Sequence, residues 1–180
     1  MKKIQSLFAR NYDTDRLVRN EVVPGSEWVL NGEGRATVKW DGTSVLIKDG
    51  ALFKRYDAKN GKVPPENFIP AQDADPVTGH WPGWVPCNPS NPADKYHFEA
   101  LTTLRDDGTY ELVGKKIQGN KYGLDHHELF KHGDTDIFGE PRDFDGIKQF
   151  LSANKMEGIV WHHPDGRMVK IKSKDFGIKW

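Results

Sequence analysis

Cysteine is almost absent from this 180-residue chain, which contains one, Cys87. A single cysteine excludes an intramolecular disulfide and any metal site built from several cysteines, and it is typical of a reducing compartment. We therefore predict a cytoplasmic location. The N-terminal residues include two lysines but no apolar run as long as a signal-peptide core, and no later stretch approaches the length of a membrane span. We expect no export signal and no membrane partner.

The chain also lacks an excess of charge of either sign, because 26 Lys and Arg residues balance 26 Asp and Glu residues. A nucleic-acid partner would therefore have to bind a local basic patch and not a uniformly cationic surface. With 36% hydrophobic residues, the chain is long enough for one buried core and too short for two ordinary domains. No internal repeat, low-complexity tract or linker divides it, so we predict a single domain over residues 1–180.

Asp-Gly pairs recur along the chain between short runs of apolar and β-branched residues, a pattern typical of antiparallel hairpins. The runs predict strands at Arg35–Lys39, Thr43–Lys48, Ala51–Tyr56, Tyr96–Leu101, Thr109–Val113, Gly158–His162 and Met168–Lys172. A helix is predicted near Arg142–Asn154 from the apolar face formed by Phe144, Ile147, Phe150 and Leu151. Residues 63–94 are too long for a structureless loop and predict a packed surface excursion. These elements indicate an α+β fold with mostly antiparallel sheets and few helices.

The segment Lys39-Trp40-Asp41-Gly42-Thr43-Ser44 places a lysine just before a tight turn. Turn residues there would hold the lysine stem at a strand end, and a held amine can act as a nucleophile. Most hairpin lysines are solvated charges, so the segment alone is a weak indication. Two further lysines, Lys170 and Lys172, lie two residues apart in an apolar strand and therefore project to one face. Cations there would disfavour a charged Lys39 and neutralise the charge of a bound phosphate.

A carboxylate, Glu157, directly precedes the predicted strand Gly158–His162, which we expect to pair with the Lys170 strand. A glutamate in that place can hold a divalent cation that also contacts substrate phosphates. His162 and His163 follow closely. Neighbouring residues of a strand point to opposite faces, so a structural role or a place at the substrate edge is favoured over a metal cluster.

Five segments, in order, resemble the nucleotidyltransferase motifs of the ATP-dependent ligase and mRNA-capping superfamily. They are the lysine segment, Lys54-Arg55-Tyr56, Tyr110-Glu111-Leu112-Val113-Gly114, Glu157-Gly158-Ile159-Val160-Trp161 and Val169-Lys170-Ile171-Lys172. Within the superfamily, the chain is most similar to the RNA ligase 1-like group of small ATP-dependent RNA ligases. That narrower resemblance rests on Pro82-Gly83-Trp84-Val85-Pro86, Gly119-Asn120-Lys121-Tyr122-Gly123-Leu124, the Glu157 segment extended to His162, and Asp175-Phe176-Gly177-Ile178-Lys179-Trp180.

The resemblance implies an ATP-grasp-like nucleotidyltransferase (adenylation) domain. The sequence stops a few residues after the last motif, so we expect no appended OB-fold. The implied activity is that of an ATP-dependent RNA ligase, which joins 5′-phosphate and 3′-hydroxyl ends of single-stranded or nicked RNA through a lysyl-AMP intermediate. The implied cofactors are ATP and Mg²⁺ or Mn²⁺.

The resemblance also assigns roles to individual residues. Lys39 becomes the nucleophile and Glu157 the metal ligand. The nucleotide would be bound by Asp41, Gly42, Arg55, Glu111, Lys170 and Lys172. Among these, the carboxylate of Glu111 would contact the ribose and Arg55 the ribose or a phosphate.

Three alternatives remain open from the sequence. Glu99, in an apolar run before a turn, competes with Glu111 for the ribose contact, although the longer match favours Glu111. The protein could instead transfer a nucleotide without ligation, as a GTP-dependent capping enzyme or an adenylyltransferase, or it could bind RNA ends without catalysis.

His126 and His127 are predicted to be exposed residues at a helix start.

Overall fold

The computed structural model of the protein describes residues 4–59, 62–103 and 105–180. Two short 3-10 helices cover Pro92–Asp94 and Ser173–Phe176. The other elements, in chain order, are β1 (Gln5–Ser6), β2 (Phe8–Arg10), β3 (Val18–Val22), α1 (Glu27–Leu30), β4 (Arg35–Lys39), β5 (Thr43–Lys48), β6 (Ala51–Ala58), β7 (Ile69–Pro70), β8 (Trp81–Pro86), α2 (Lys95–Ala100), β9 (Gly108–Gly114), β10 (His127–Lys131), β11 (Asp136–Ile137), α3 (Phe144–Asn154), β12 (Gly158–His162) and β13 (Met168–Lys172). None of the helices in these ranges combines the length and the hydrophobicity that crossing a membrane requires.

The described residues form two compact units, the first of which comprises Asp41–His132. Its antiparallel sheet has the strand order β10-β9-β5-β6-β8-β7. β5 and β6 are joined through Asp49 and Gly50, whose φ angles are both positive, as a two-residue type I′ hairpin turn requires. The core of this unit consists of Val45, Ile47, Leu52, Ala100, Tyr110, Leu112 and Leu129.

The second compact unit contains the described residues up to Trp40 together with Gly133–Trp180. Its five-stranded sheet has the order β1-β13-β12-β4-β11, and a separate hairpin is formed by β2 and β3. All neighbouring strands of this sheet are antiparallel except β1 and β13, which run parallel. Helix α3 contributes Ile147 and Leu151 to a core that also contains strand residues such as Ile159, Trp161 and Ile171.

The prediction of an α+β fold with mostly antiparallel sheets is confirmed, and β4, β5, β12 and β13 have the predicted bounds. The strand predicted at Tyr96–Leu101 is wrong, because Lys95–Ala100 forms helix α2. Asn91 caps the preceding 3-10 turn by accepting from the Ala93 N–H, with Pro92 at its first position. A capping asparagine followed by proline favours the start of a helical turn. This preference overrides the strand-like alternation of aromatic residues. The single-domain organisation stays a prediction.

Other local predictions were also wrong. Asp41-Gly42 does not form a hairpin turn, because β4 and β5 belong to different sheets. The stretch over residues 63–94 is packed, as predicted, but it contains a strand that was missed, β8, which pairs with β6 along six residues. Two prolines in β8 obscured this strand, since proline normally argues against a strand inside a sheet. His127 is the first residue of β10 and is buried, whereas it was predicted to be exposed at a helix start.

The first testable prediction concerns the N-terminus of α3. The Asp143 side chain accepts a hydrogen bond from the Gly146 N–H at 2.8 Å and thereby caps the helix. We expect Asp143→Ala to lower the free energy of unfolding by about 1 kcal/mol in urea denaturation followed by circular dichroism. Lys148→Ala, an exposed site on the same helix, is the matched control and should change it by less than about 0.5 kcal/mol. Equal stabilities of the two variants would contradict a stabilising role for the cap.

Candidate functional site

The three predicted site lysines lie on one face of the five-stranded sheet. In the register of the sheet, Gly158 is opposite both Lys39 and Lys172, and Val160 is opposite Lys170. Residues opposite each other, or two apart along a strand, share a face. The other face carries Ala36, Ile159, Trp161, Val169 and Ile171 into the core. The prediction that the two strand lysines project to the same face is therefore confirmed, and Lys39 joins them.

The separation between these lysines follows from the strand order. β12 lies between β4 and β13, so the Lys39 and Lys172 backbones are two strand spacings, or roughly 10 Å, apart. Lysine side chains are long enough for their ammonium groups to approach a common phosphate across that distance. The arrangement is suited to holding an anionic group over the middle strand.

The two motif glycines are required by close backbone contacts. A Cβ atom on Gly158 would lie 2.1 Å from the carbonyl oxygen of Ile171, on the neighbouring strand. A Cβ atom on Gly42 would lie 2.1 Å from the carbonyl oxygen of Leu112. Neither glycine has a positive φ angle, so close approach and not a left-handed backbone explains glycine at these two positions.

The predicted metal ligand forms an ion pair with the predicted nucleophile. Glu157 Oε2 lies 2.5 Å from Lys39 Nζ, and only 11% of the glutamate side chain and 24% of the lysine side chain are exposed. Lys39 thus has an anionic partner as well as the two strand lysines on its face of the sheet. The same contact provides a carboxylate that can accept the proton an attacking amine must lose.

Lys172, the second strand lysine, is partly buried close to other cations. Burial, together with the neighbouring ammonium groups of Lys174 and Lys170, lowers the pKa of Lys172 to about 8, although Asp175 opposes the change. Lys170 and Lys172 line a cavity of about 660 Å³ together with β1 and β2 residues, which include Arg10. Lys39 does not line it. Arg10 forms an ion pair with Asp175, whose other carboxylate oxygen accepts from the Lys172 N–H.

His162 lies on the same face of the sheet as Lys39. Its Nε2 is 2.8 Å from the hydroxyl oxygen of Thr37, and its pKa is lowered chiefly by burial and further by the nearby Arg35. The ring is therefore neutral at physiological pH. His163 instead pairs with Glu33, so the two histidines have separate partners.

In the first unit, the predicted Glu111 binds the start of the loop that follows the lysine. Its Oε1 accepts from the Gly42 N–H at 2.9 Å, and its Oε2 lies 2.8 Å from His132 Nε2. Sequence reasoning missed His132, which directly follows β10, because the pairing of β10 with β9 that brings it to Glu111 has no local sequence signal. Glu99 lies on α2 and pairs with His127. These contacts favour Glu111 over Glu99 as the residue associated with the lysine motif.

The remaining predicted residues are fixed by local contacts. The Asp41 N–H donates to the Tyr122 hydroxyl at 2.6 Å, and the Asp41 carboxylate pairs with Lys121 at 2.8 Å. The segment Gly119–Leu124, which contributed to the family resemblance, thus contacts the lysine motif. Arg55 bonds to Asp57 through Nε and lies over the buried Trp84 ring at 5.5 Å, which restricts its orientation.

Comparison with known proteins shows similarity to RNA ligases. The sequence model of a family described as RNA ligase 1 matches residues 98–180. Proteins named RNA ligase 1 are 32% identical over 166 residues in Pongo abelii, 30% over 154 residues in Danio rerio and 31% over 159 residues in Rattus norvegicus. These alignments cover 66%, 66% and 64% of this chain, respectively, and 50%, 46% and 49% of the relatives.

The chain therefore spans about half the length of the curated relatives it matches. The range matched by the family model includes Glu111, Glu157, Lys170 and Lys172 and begins after Lys39. The predicted resemblance to RNA ligase 1-like proteins is confirmed, and the matches support an RNA ligase-like family.

The lowered pKa of Lys172 predicts an unusual titration. In a chain labelled with ¹³C at the lysine Cε, the Lys172 signal should titrate near pH 8, because burial and neighbouring cations disfavour its charged form. A lysine in an unstructured model peptide, which titrates at about 10.4, is the reference. Lys172→Arg assigns the signal by removing it. Titration of the Lys172 signal together with that of the reference peptide would contradict the electrostatic description of this face.

Proposed function

Because these comparisons support an RNA ligase-like family, we propose that the chain performs the nucleotide-transfer chemistry of an ATP-dependent RNA ligase. The substrates are RNA ends with a 5′-phosphate and a 3′-hydroxyl, and the intermediate is lysyl-AMP. The proposal includes an ATP-grasp-like nucleotidyltransferase fold and a cytoplasmic location. One observation carries it: Lys39, Lys170 and Lys172 share one sheet face, and Glu157 contacts Lys39.

The first step transfers AMP to the protein. Lys39 Nζ forms a bond to the α-phosphorus of ATP, the bond from that phosphorus to the bridging oxygen breaks, and pyrophosphate leaves. The ammonium group of Lys39 loses one proton to Glu157 Oε2, which is already in contact with it, and the second proton goes to solvent once the P–N bond has formed. Lys170 and Lys172 stabilise the negative charge that develops on the phosphate oxygens.

The next two steps join the RNA. A 5′-phosphate oxygen attacks the phosphorus of lysyl-AMP, the P–N bond breaks, and the amine regains a proton. The 3′-hydroxyl of the other end then attacks the activated 5′-phosphorus, and AMP leaves with the bridging oxygen. Splitting the reaction in this way stores an activated adenylate until an RNA end is bound.

Glu157 fits the role of a ligand for Mg²⁺ or Mn²⁺. Magnesium in nucleotide enzymes commonly takes one or two carboxylates and completes its coordination with substrate phosphates and water. When bound, the ion would supply positive charge to the phosphates. Glu157 is largely buried but has one oxygen at the ammonium of Lys39, so its carboxylate already lies where cations are held.

The residues of the first unit keep the roles that the resemblance implies. We propose that Glu111 contacts the ribose and Arg55 the ribose or a phosphate, with Asp41 and Gly42 holding the loop after the nucleophile. The hydrogen bond between Glu111 and the Gly42 N–H supports a common role for these motifs. The Trp84 ring beneath Arg55 and the ion pair with Asp57 orient the guanidinium group. This supports a role for Arg55 as a cation held in a fixed position.

The decisive experiment is covalent labelling of the full chain. We expect incubation with α-labelled ATP and Mg²⁺, followed by denaturation and intact-mass measurement, to show one AMP per chain. Lys39→Ala should abolish the label because it removes the nucleophile, whereas Lys48→Ala, at an exposed strand lysine, should retain it. Parallel incubation with α-labelled GTP distinguishes a capping guanylyltransferase. Label that persists on Lys39→Ala would place the nucleophile elsewhere.

Glu157→Gln tests the carboxylate in contact with the nucleophile. The variant keeps the shape of the side chain but loses the proton acceptor and the negative charge, so the rate of lysyl-AMP formation should fall about 100-fold or more. Single-turnover labelling at saturating ATP measures that rate, and circular dichroism confirms folding. A rate equal to that of the unmodified chain would remove Glu157 from the chemistry.

RNA joining is measured separately from labelling. With ATP and Mg²⁺, a mixture of 5′-phosphorylated and 3′-hydroxyl RNA strands should yield a longer strand whose new phosphate resists phosphatase. Lys39→Ala serves as the inactive control. Labelling without joining would indicate an adenylyltransferase for another acceptor, and RNA binding with neither would indicate a non-catalytic module.

A further inference from the structure

Three side chains of different types converge in the first unit at a place that the proposed function does not use. Cys87, Asp94 and His97 each offer one ligand atom, and these atoms all lie within 4.8 Å of one another. Cys87 directly follows β8, Asp94 ends a 3-10 turn, and His97 lies three residues later on α2. Because residues three apart share a helical face, the local fold turns Asp94 and His97 toward the same point.

Backbone hydrogen bonds hold two of the three residues in place. The Cys87 N–H donates to the Leu52 carbonyl at 2.9 Å, which attaches this residue to the sheet. Asp94 Oδ2 accepts from the Asn88 N–H at 2.9 Å. Asp94 is only 1% exposed, so its carboxylate stays within the cluster.

His97 provides an independent indication of a ligand. The residue is 9% exposed, and its Nδ1 atom is buried without a hydrogen-bond partner of normal geometry among the described residues. Buried polar atoms normally have a partner, so this nitrogen requires an explanation, since its ring lies beside a thiol and a carboxylate.

We propose that Cys87, Asp94 and His97 form a Zn²⁺ site in which the metal attaches the end of β8 to helix α2. Thiolate, imidazole and carboxylate together suit zinc, whereas Mg²⁺ and Ca²⁺ prefer oxygen ligands alone. Ligand atoms around tetrahedral zinc are roughly 3.3–3.8 Å apart, so the cluster has to contract by about 1 Å. A water molecule completes the four-coordinate site.

The charges balance when zinc binds. The S–H bond of Cys87 breaks, its proton goes to solvent, and a sulfur–zinc bond forms; burial raises the pKa of the free thiol to about 12, so the metal has to displace this proton. Lys54 pairs with Asp94 at 2.5 Å in the absence of metal. Its side chain is 29% exposed, so the ammonium can move to solvent while Asp94 turns one oxygen to the ion. The site does not depend on the ligase proposal.

Cobalt substitution tests the site in the intact chain. After treatment with a chelator, the protein should bind one Co²⁺ and show the near-ultraviolet absorption band of a cobalt–thiolate bond, and Zn²⁺ should displace that band. Cys87→Ser should abolish the band. His97→Gln should weaken binding roughly tenfold or more, because loss of a direct ligand costs at least as much as loss of a supporting residue. His126→Gln, at an exposed histidine, is the matched control and should bind normally.

A second measurement uses the unmodified protein and therefore does not depend on how the variants fold. Bound Zn²⁺ should slow alkylation of Cys87 and raise the midpoint of thermal unfolding as its concentration increases. Absence of the cobalt–thiolate band, or alkylation at the same rate with and without zinc, would overturn the proposal. Loss of binding in His126→Gln alone would also overturn it, since the metal would then occupy a surface histidine.

Discussion

The register of β4, β12 and β13 is the constraint on which the candidate site depends. Side chains alternate between the faces of a sheet, so a slip of one residue would bury Lys170 and Lys172 and expose Ile171. Such a slip is opposed by the packing of Ile171 and Ile159, both fully buried, against helix α3 and other apolar residues of the core. Burial of the apolar side chains on one face therefore orients the charged groups on the other face, without direct contact between the two sets of side chains.

The charges on that face are not equivalent. Lys39 is held by a carboxylate, whereas Lys172 is partly buried near other cations and has a lowered pKa. An amine that is paired with a carboxylate until substrate binds is protected from unwanted reactions. A lysine that loses its proton easily has its charged form stabilised most by a bound phosphate. Under the proposed function, one face of the sheet would hold both a nucleophile in contact with a carboxylate and a more buried lysine for the phosphate.

Local features were predictable from the sequence, and contacts between distant segments were not. Alternating residues and the Asp49-Gly50 turn are local, so β4, β5, β12 and β13 were predicted to the residue. The alternation around Tyr96 misled because it competed with helix-start residues nearby. The contact between Lys39 and Glu157 joins residues 118 positions apart and depends on β12 lying beside β4, which no local pattern encodes. His132 escaped detection for the same reason.

The parallel pairing of β1 with β13 makes the sheet dependent on residues close to the start of the chain. Ser6 lies opposite Lys170, the Leu7 N–H donates to the Lys170 carbonyl at 2.8 Å, and Leu7 and Phe8 are fully buried. Proteolytic trimming into this segment would uncover the backbone edge of β13 and the apolar surface beneath it. Exposed strand edges of this kind pair with other chains, so a trimmed protein would be prone to aggregate. It would do so although it retained every lysine of the candidate site.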